Sequence, residues 1–140
     1  MDKQIFPRVA VGGVILKDEN VLLVKRSNPP AKDMWAIPGG KILPGETMHE
    51  ALQREIREET GLEIKPMEVV YVFDVIEYSD QKQISFHYVI IDFLCELSGG
   101  SLKAGDDAQA VRWFSKSDLN KYPVNEKTLN LLKNKLSNWS

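Results

Sequence analysis

Residues 39–64 read GGKILPGETMHEALQREIREETGLEI, a glycine-rich loop that runs into a helix-forming stretch and leaves it through another glycine. Pro38-Gly39-Gly40 and Pro44-Gly45 bracket an irregular loop, and Thr47 with Glu50 has the spacing of a capping box. The pattern predicts a helix over 48–60, with an apolar stripe of Ala51, Leu52 and Ile56, joined by Met48, and a left-handed stop at Gly61. Glu55 lies three residues from Glu58 and four from Glu59, so three carboxylates share one helical face. Like charges so placed repel unless they are solvated, paired or joined by a cation. Hard divalent ions such as Mg²⁺ or Mn²⁺ favour such oxygen ligands. The same three glutamates, with Arg54 and Arg57 between them, would also suit an ordinary solvated acidic face.

Upstream, the apolar runs over 9–16 and 21–24, separated by Lys17-Asp18-Glu19-Asn20, predict a β-hairpin. The proline-interrupted segment 27–33 reads as a surface loop. Downstream, strands are expected over 69–76, 85–97 and 111–114, with a turn at Ser98-Gly99-Gly100-Ser101. Ser117 is a candidate cap for a short helix, and Asn125 for a C-terminal helix carrying Leu129, Leu132 and Leu136. The order of strands, helix, strands and helix predicts a mixed α/β layered domain, with residues 1–140 as one unit. Cys95, in an apolar run, reads as a small core residue, and His49 and His87 show no zinc-ligand spacing. Trp35, Tyr71, Phe73 and Tyr78 are assigned to core packing, with base stacking as the alternative.

With 140 residues, 43% of them hydrophobic, the chain has material for a core of its own. A formal net charge of -2 provides no general pull toward nucleic acid or an anionic membrane, so an anionic ligand has to be handled locally. The apolar runs are too short to span a bilayer, the first eight residues lack the features of a secretory signal, and there is a single cysteine. A reducing cytoplasm is the expected setting.

Gly40, five residues, Glu46, seven residues and then Arg54-Glu55-Ile56-Arg57-Glu58-Glu59-Thr60-Gly61-Leu62 resembles a complete Nudix box, with every specified position filled. The chain as a whole resembles small Nudix proteins of the MutT-like and ADP-ribose pyrophosphatase type. The likeness runs from the first hairpin through Trp35-Ala36-Ile37-Pro38-Gly39-Gly40 to Asp106-Asp107-Ala108 and Trp113-Phe114. The resemblance implies an α/β/α sandwich around a mixed sheet and hydrolysis of a diphosphate bond in a nucleoside-diphosphate-linked substrate. It implies that Glu55, Glu58 and Glu59 hold Mg²⁺ or Mn²⁺, with a main-chain carbonyl near Gly39 or Gly40, while Arg54 and Glu46 form a scaffold pair. The general base would be a helix glutamate or an acid of the distant loop, Asp106 or Asp107; an aspartate-rich turn before a strand is the plainer account of that pair.

Arg26 is a candidate for a substrate phosphate or ribose, or else an exposed strand-end arginine. The stretch around Phe86-His87-Tyr88-Val89-Ile90-Ile91-Asp92-Phe93 resembles the ADP-ribose group and favours cleavage of ADP-ribose to AMP and ribose 5-phosphate. Tyr78 instead stands where many ADP-ribose enzymes carry proline, and resembles dinucleoside polyphosphate enzymes. Nucleoside triphosphates and dinucleoside polyphosphates are therefore alternative substrates, and a non-catalytic nucleotide-binding domain is the alternative of another class. A homodimer is common among such proteins.

Overall fold

Thr47 caps the first helix, α1 (Met48–Thr60), through the reciprocal bonds of a capping box: its hydroxyl accepts from the Glu50 amide, and the Glu50 carboxylate accepts from the Thr47 amide. Gly61 ends the helix at φ 76°, a left-handed conformation that glycine adopts without a Cβ penalty, and its amide donates to the Arg57 carbonyl. The helix has the predicted bounds because both signals are local. Ala51, Leu52 and Ile56 are fully buried on its inner face, whereas Met48 sits at the exposed edge of the stripe.

The computed structural model describes residues 6–29, 31–105, 107–136 and Trp139. The described residues form seven strands: β1 (Arg8–Lys17), β2 (Asn20–Arg26), β3 (Trp35–Ala36), β4 (Gly39–Lys41), β5 (Leu62–Tyr78), β6 (Ile84–Gly100) and β7 (Ala108–Phe114). The sheet order is β3-β2-β1-β6-β5, with β4 also paired to β1 and β7 to β2. The predicted hairpin turns at Asp18 and Glu19, both at positive φ, but only Leu16–Val21 and Lys17–Asn20 face each other across it. Beyond those pairs the strands part. β1 runs parallel to β6 from Arg8–Tyr88 to Ile15–Cys95 and antiparallel to β4, while β2 pairs with β3 and β7.

Alternation along these strands builds two cores. Val11, Ile15, Leu22 and Phe93 pack with α1 on one side. Val14, Val21, Leu23 and Phe114 pack on the other, with Leu131 and Leu132 of the C-terminal helix. The result is the mixed sheet between helical layers that the sequence predicts. Cys95 is buried in the first core, and burial pushes its thiol up to about 12, consistent with an inert core residue. Among the described residues, no helix is long and apolar enough to cross a membrane.

Several local expectations need correction. The predicted turn at 98–101 is strand as far as Gly100, because Leu62 and Glu63 continue straight from the Gly61 stop and pair with Gly100 and Gly99. β5 accordingly starts at Leu62, with register irregularities absorbing Pro66. Ser117 lies inside a 3₁₀ turn (Ser117–Asn120) rather than capping it; Ser115 and Asp118 exchange the bonds that close the turn. Asn125 does cap α2 (Glu126–Asn130), accepting from Lys127 and Thr128 amides, but the helix then widens into a π turn over Leu131–Lys135. The wider turn lets the adjacent Leu131 and Leu132 both bury. Tyr78 is 63% exposed and Phe73 is half-buried on a cavity wall, so neither is core; Trp35 is, against Phe114 and Tyr122.

Candidate active site

The segment after β3 forms a short strand rather than an irregular loop, and the register Gly12–Gly39 and Val11–Gly40 lays its backbone against the mouth of α1. A Cβ at Gly40 would fall on the Glu55 carboxyl group, and one at Gly39 would strike the β1 backbone at Val11 and Gly12. These close approaches account for the glycine pair. They also bring the Gly39 amide to 3.0 Å from Glu59 Oε2, its donor to an otherwise deeply buried carboxyl group.

Arg54 organises the outer half of the cluster. Its Nε and Nη2 donate to the two Glu46 oxygens at 2.6 and 2.9 Å, and Nη2 also reaches the Lys41 carbonyl at 3.1 Å. Its Nη1 donates to Glu55 Oε1 at 2.9 Å and Glu58 Oε2 at 3.3 Å. Glu46 accepts in addition from the Leu43 amide, so the loop 41–46 is tied to the helix through one guanidinium. That guanidinium holds the Glu46 carboxyl below the usual carboxylate range.

Glu55 and Glu59 are shifted the other way. Burial, and then the Glu55 charge, push Glu59 up to about 8 despite the Gly39 bond. Burial also raises Glu55, with Arg54 working against it and Glu58 and Asp107 adding to it. Glu58, with a side chain 60% exposed, reaches solvent beside Arg54. Among the described residues no three acidic, histidine or cysteine side chains have the spacing of a ready-made metal cage. The donor chemistry nevertheless suits a hard divalent cation, since Glu55 and Glu59 are carboxylates raised by burial and by neighbouring acidic groups, and Mg²⁺ completes its shell with water and phosphate oxygens.

Asp107 is brought here from far along the chain. The Ser101, Lys103 and Gly105 amides donate to the Gly61, Thr60 and Glu59 carbonyls at 3.2, 2.8 and 2.8 Å, satisfying the carbonyls that end α1. The docked loop delivers the Asp107 charge to Glu55 and Glu59, and Arg26, at the end of β2, supplies the opposing positive field at Glu59. Asp106 lies outside the described residues. Glu55, Glu59, Asp107 and Arg26 thus border one cavity of about 740 Å³, while Glu46, Arg54 and the exposed Glu58 lie outside its lining.

The same cavity is also bordered by a residue to which the sequence analysis assigns no role. Asp92, on β6, is 3% exposed, and burial alone pushes its carboxyl up to about 7. Its one sequence signal is a lone acid inside the apolar run 89–95. The folded state keeps the Asp92 proton where the unfolded chain loses it, so this group makes stability fall as pH rises from about 4 to 7 and has no further effect above that. Asp92→Asn is expected to remove that component. Urea unfolding in a chelator should show the variant gaining on the parent by roughly 1–3 kcal/mol between pH 5 and pH 8; parallel pH profiles would contradict the assignment.

The model of the NUDIX domain matches residues 6–135. The chain belongs to the Nudix family. Among its Nudix relatives, the ADP-ribose pyrophosphatase of Methanocaldococcus jannaschii is 44% identical over 119 residues, covering 85% of this chain and 66% of its own length. The nucleoside triphosphatase NudI of Escherichia coli is 31% identical over 133 residues, covering 90% of this chain and 94% of that protein. The crystal structure of the MutT NUDIX hydrolase from Burkholderia pseudomallei superposes with a TM-score of 0.78 at 30% identity, over 95% of this chain and all of that one. The sheet and helices described above are therefore the Nudix fold.

Proposed function

We propose that this Nudix domain is a divalent-metal-dependent hydrolase of nucleoside diphosphates linked to a second group, with ADP-ribose as the preferred substrate and AMP and ribose 5-phosphate as products. The observation that carries the reading is the single cavity in which the raised carboxyl groups of Glu55 and Glu59, the cationic Arg26 and the acidic Asp107 meet a recess large enough for a nucleoside. The choice of ADP-ribose is supported by the 44% identity to the pyrophosphatase.

Glu55, Glu58 and Glu59, with the backbone carbonyl at Gly40, would hold Mg²⁺ or Mn²⁺. When bound, the ion neutralises diphosphate oxygens and lowers the pKa of the attacking water. Arg54 and Glu46 hold Glu55 and the 41–46 loop in position. Water adds to one phosphorus, the bridging P–O bond breaks, and the water proton passes to a carboxylate, for which Glu59, Asp106 and Asp107 are the candidates. Arg26 faces the charge on the substrate phosphates. A metabolite of this kind and a single buried thiol suit a reducing cytoplasm.

A panel of ADP-ribose, other nucleotide sugars, dinucleoside polyphosphates and nucleoside triphosphates, assayed with Mg²⁺, tests the reading. Metal-dependent AMP release from ADP-ribose, lost in Glu58→Gln and Glu59→Gln, is the expected result. Preference for a nucleoside triphosphate would transfer the assignment to the NudI-like activity, and nucleotide binding without turnover of any compound would make this a binding domain.

A further inference from the structure

We propose that Asp92 is the specificity-determining residue of a nucleobase subsite, where its carboxyl group reads the 6-amino edge of adenine. The identity of the base rests on the ADP-ribose reading above; the existence of the subsite rests on geometry. Asp92 is 3% exposed and its side chain borders the cavity. Among the described residues no fully buried side-chain nitrogen or oxygen lacks a partner, so the access that the Asp92 carboxyl group keeps is to the cavity, where a ligand can bond to it.

The surroundings suit a flat ring. Asp92, Ile90, Tyr88 and Phe86 alternate along β6 and all line the cavity, while Ala10 and Phe73 lie opposite Ile90 on the two neighbouring strands. Asp92 is thus the polar end of an apolar and aromatic wall, the usual composition of a base-stacking surface. Gly12 is what makes room for it, because a Cβ there would fall on the Asp92 carboxyl group.

The subsite and the phosphate end share one cavity. Asp92 faces Gly12 across one ladder and Gly12 faces Gly39, whose amide holds Glu59, across the next; the Asp92 carboxyl group leans over Gly12. Glu55, Glu59 and Asp92 all border that cavity, so one nucleotide can meet both ends of it. Burial pushes the Asp92 carboxyl up to about 7, so its protonated form is well populated near neutral pH and offers an O–H donor beside a carbonyl acceptor. Adenine presents the complementary pair, the N1 acceptor beside the 6-amino donor.

Calorimetric binding of AMP and of purine riboside 5′-monophosphate, which lacks the 6-amino group, tests the proposal without requiring turnover. The parent protein should bind AMP about 10-fold or more tightly than the deaminated analogue. Asp92→Ala should bind the two equally, and Asp92→Asn, which keeps a donor and an acceptor in the same volume, should retain most of the preference, with thermal melting confirming that both variants fold. A parent without preference, an Asp92→Ala protein that keeps it, or a folded Asp92→Asn protein that loses it would each overturn the assignment. Absence of ADP-ribose hydrolysis with the Asp92-dependent AMP preference intact would remove the proposed substrate and leave the subsite standing.

Discussion

Glu59→Gln is expected to lower turnover of the preferred nucleotide by about 10³-fold, while the melting temperature of the metal-free protein stays level or rises. Glu59 is buried, receives one backbone amide bond from Gly39, and has its carboxyl pushed up to about 8 by burial and by Glu55. A glutamine of the same shape keeps an oxygen for that amide and cannot take on the charge whose burial is unfavourable. What it loses is an anionic ligand and a potential proton acceptor, and a cation's contribution of several kcal/mol to transition-state stabilisation converts to roughly three decades of rate. Steady-state kinetics and thermal melting of one preparation check both halves. A variant that keeps normal turnover would remove Glu59 from the chemistry, and one that melts far lower would make its role one of folding.

Arg54→Ala should reduce activity at limiting Mg²⁺ by about 10–100-fold, the scale expected for groups that orient ligands rather than react. The five contacts of this guanidinium, to both Glu46 oxygens, Glu55, Glu58 and the Lys41 carbonyl, hold the glycine loop to the helix and offset the charge of three carboxylates. Arg54→Lys should rescue little of the loss, because an ammonium group cannot make the paired, planar contacts to Glu46 and also reach Glu55. A positioning role predicts that much of the activity returns at high Mg²⁺, with KM for the nucleotide little changed. Unchanged metal dependence in Arg54→Ala would show that the network is only structural.

α1 and its cluster were legible because every signal involved is short-range. A capping box, a left-handed stop and three glutamates at helical spacing constrain one another within one helix and the loop before it, whatever the rest of the chain does. Asn125 as a cap and the Asp18-Glu19 turn belong to the same class. Errors arose where a local pattern met a distant partner. Ser98-Gly99-Gly100-Ser101 has the composition of a turn, yet Leu62 and Glu63 extend past it and hold it as strand. The apolar run containing Asp92 looked like plain core, since neither composition nor alternation shows that the face of β6 bearing Asp92 borders a cavity.

The residue pattern alone therefore determines the mixed α/β class, the helix bounds and the acidic face, for propensity, capping and periodicity act over a few residues. Only the tertiary structure decides which other groups join that face. Asp107 reaches Glu55 and Glu59 because loop amides satisfy the last carbonyls of α1, and Arg26 because β2 ends beside them. Asp92 meets the same cavity because β1 runs parallel to β6 in a register that sets it against Gly12. Burial and electrostatic field come from strands and loops many residues apart, and those contacts exist only once the chain has closed around them.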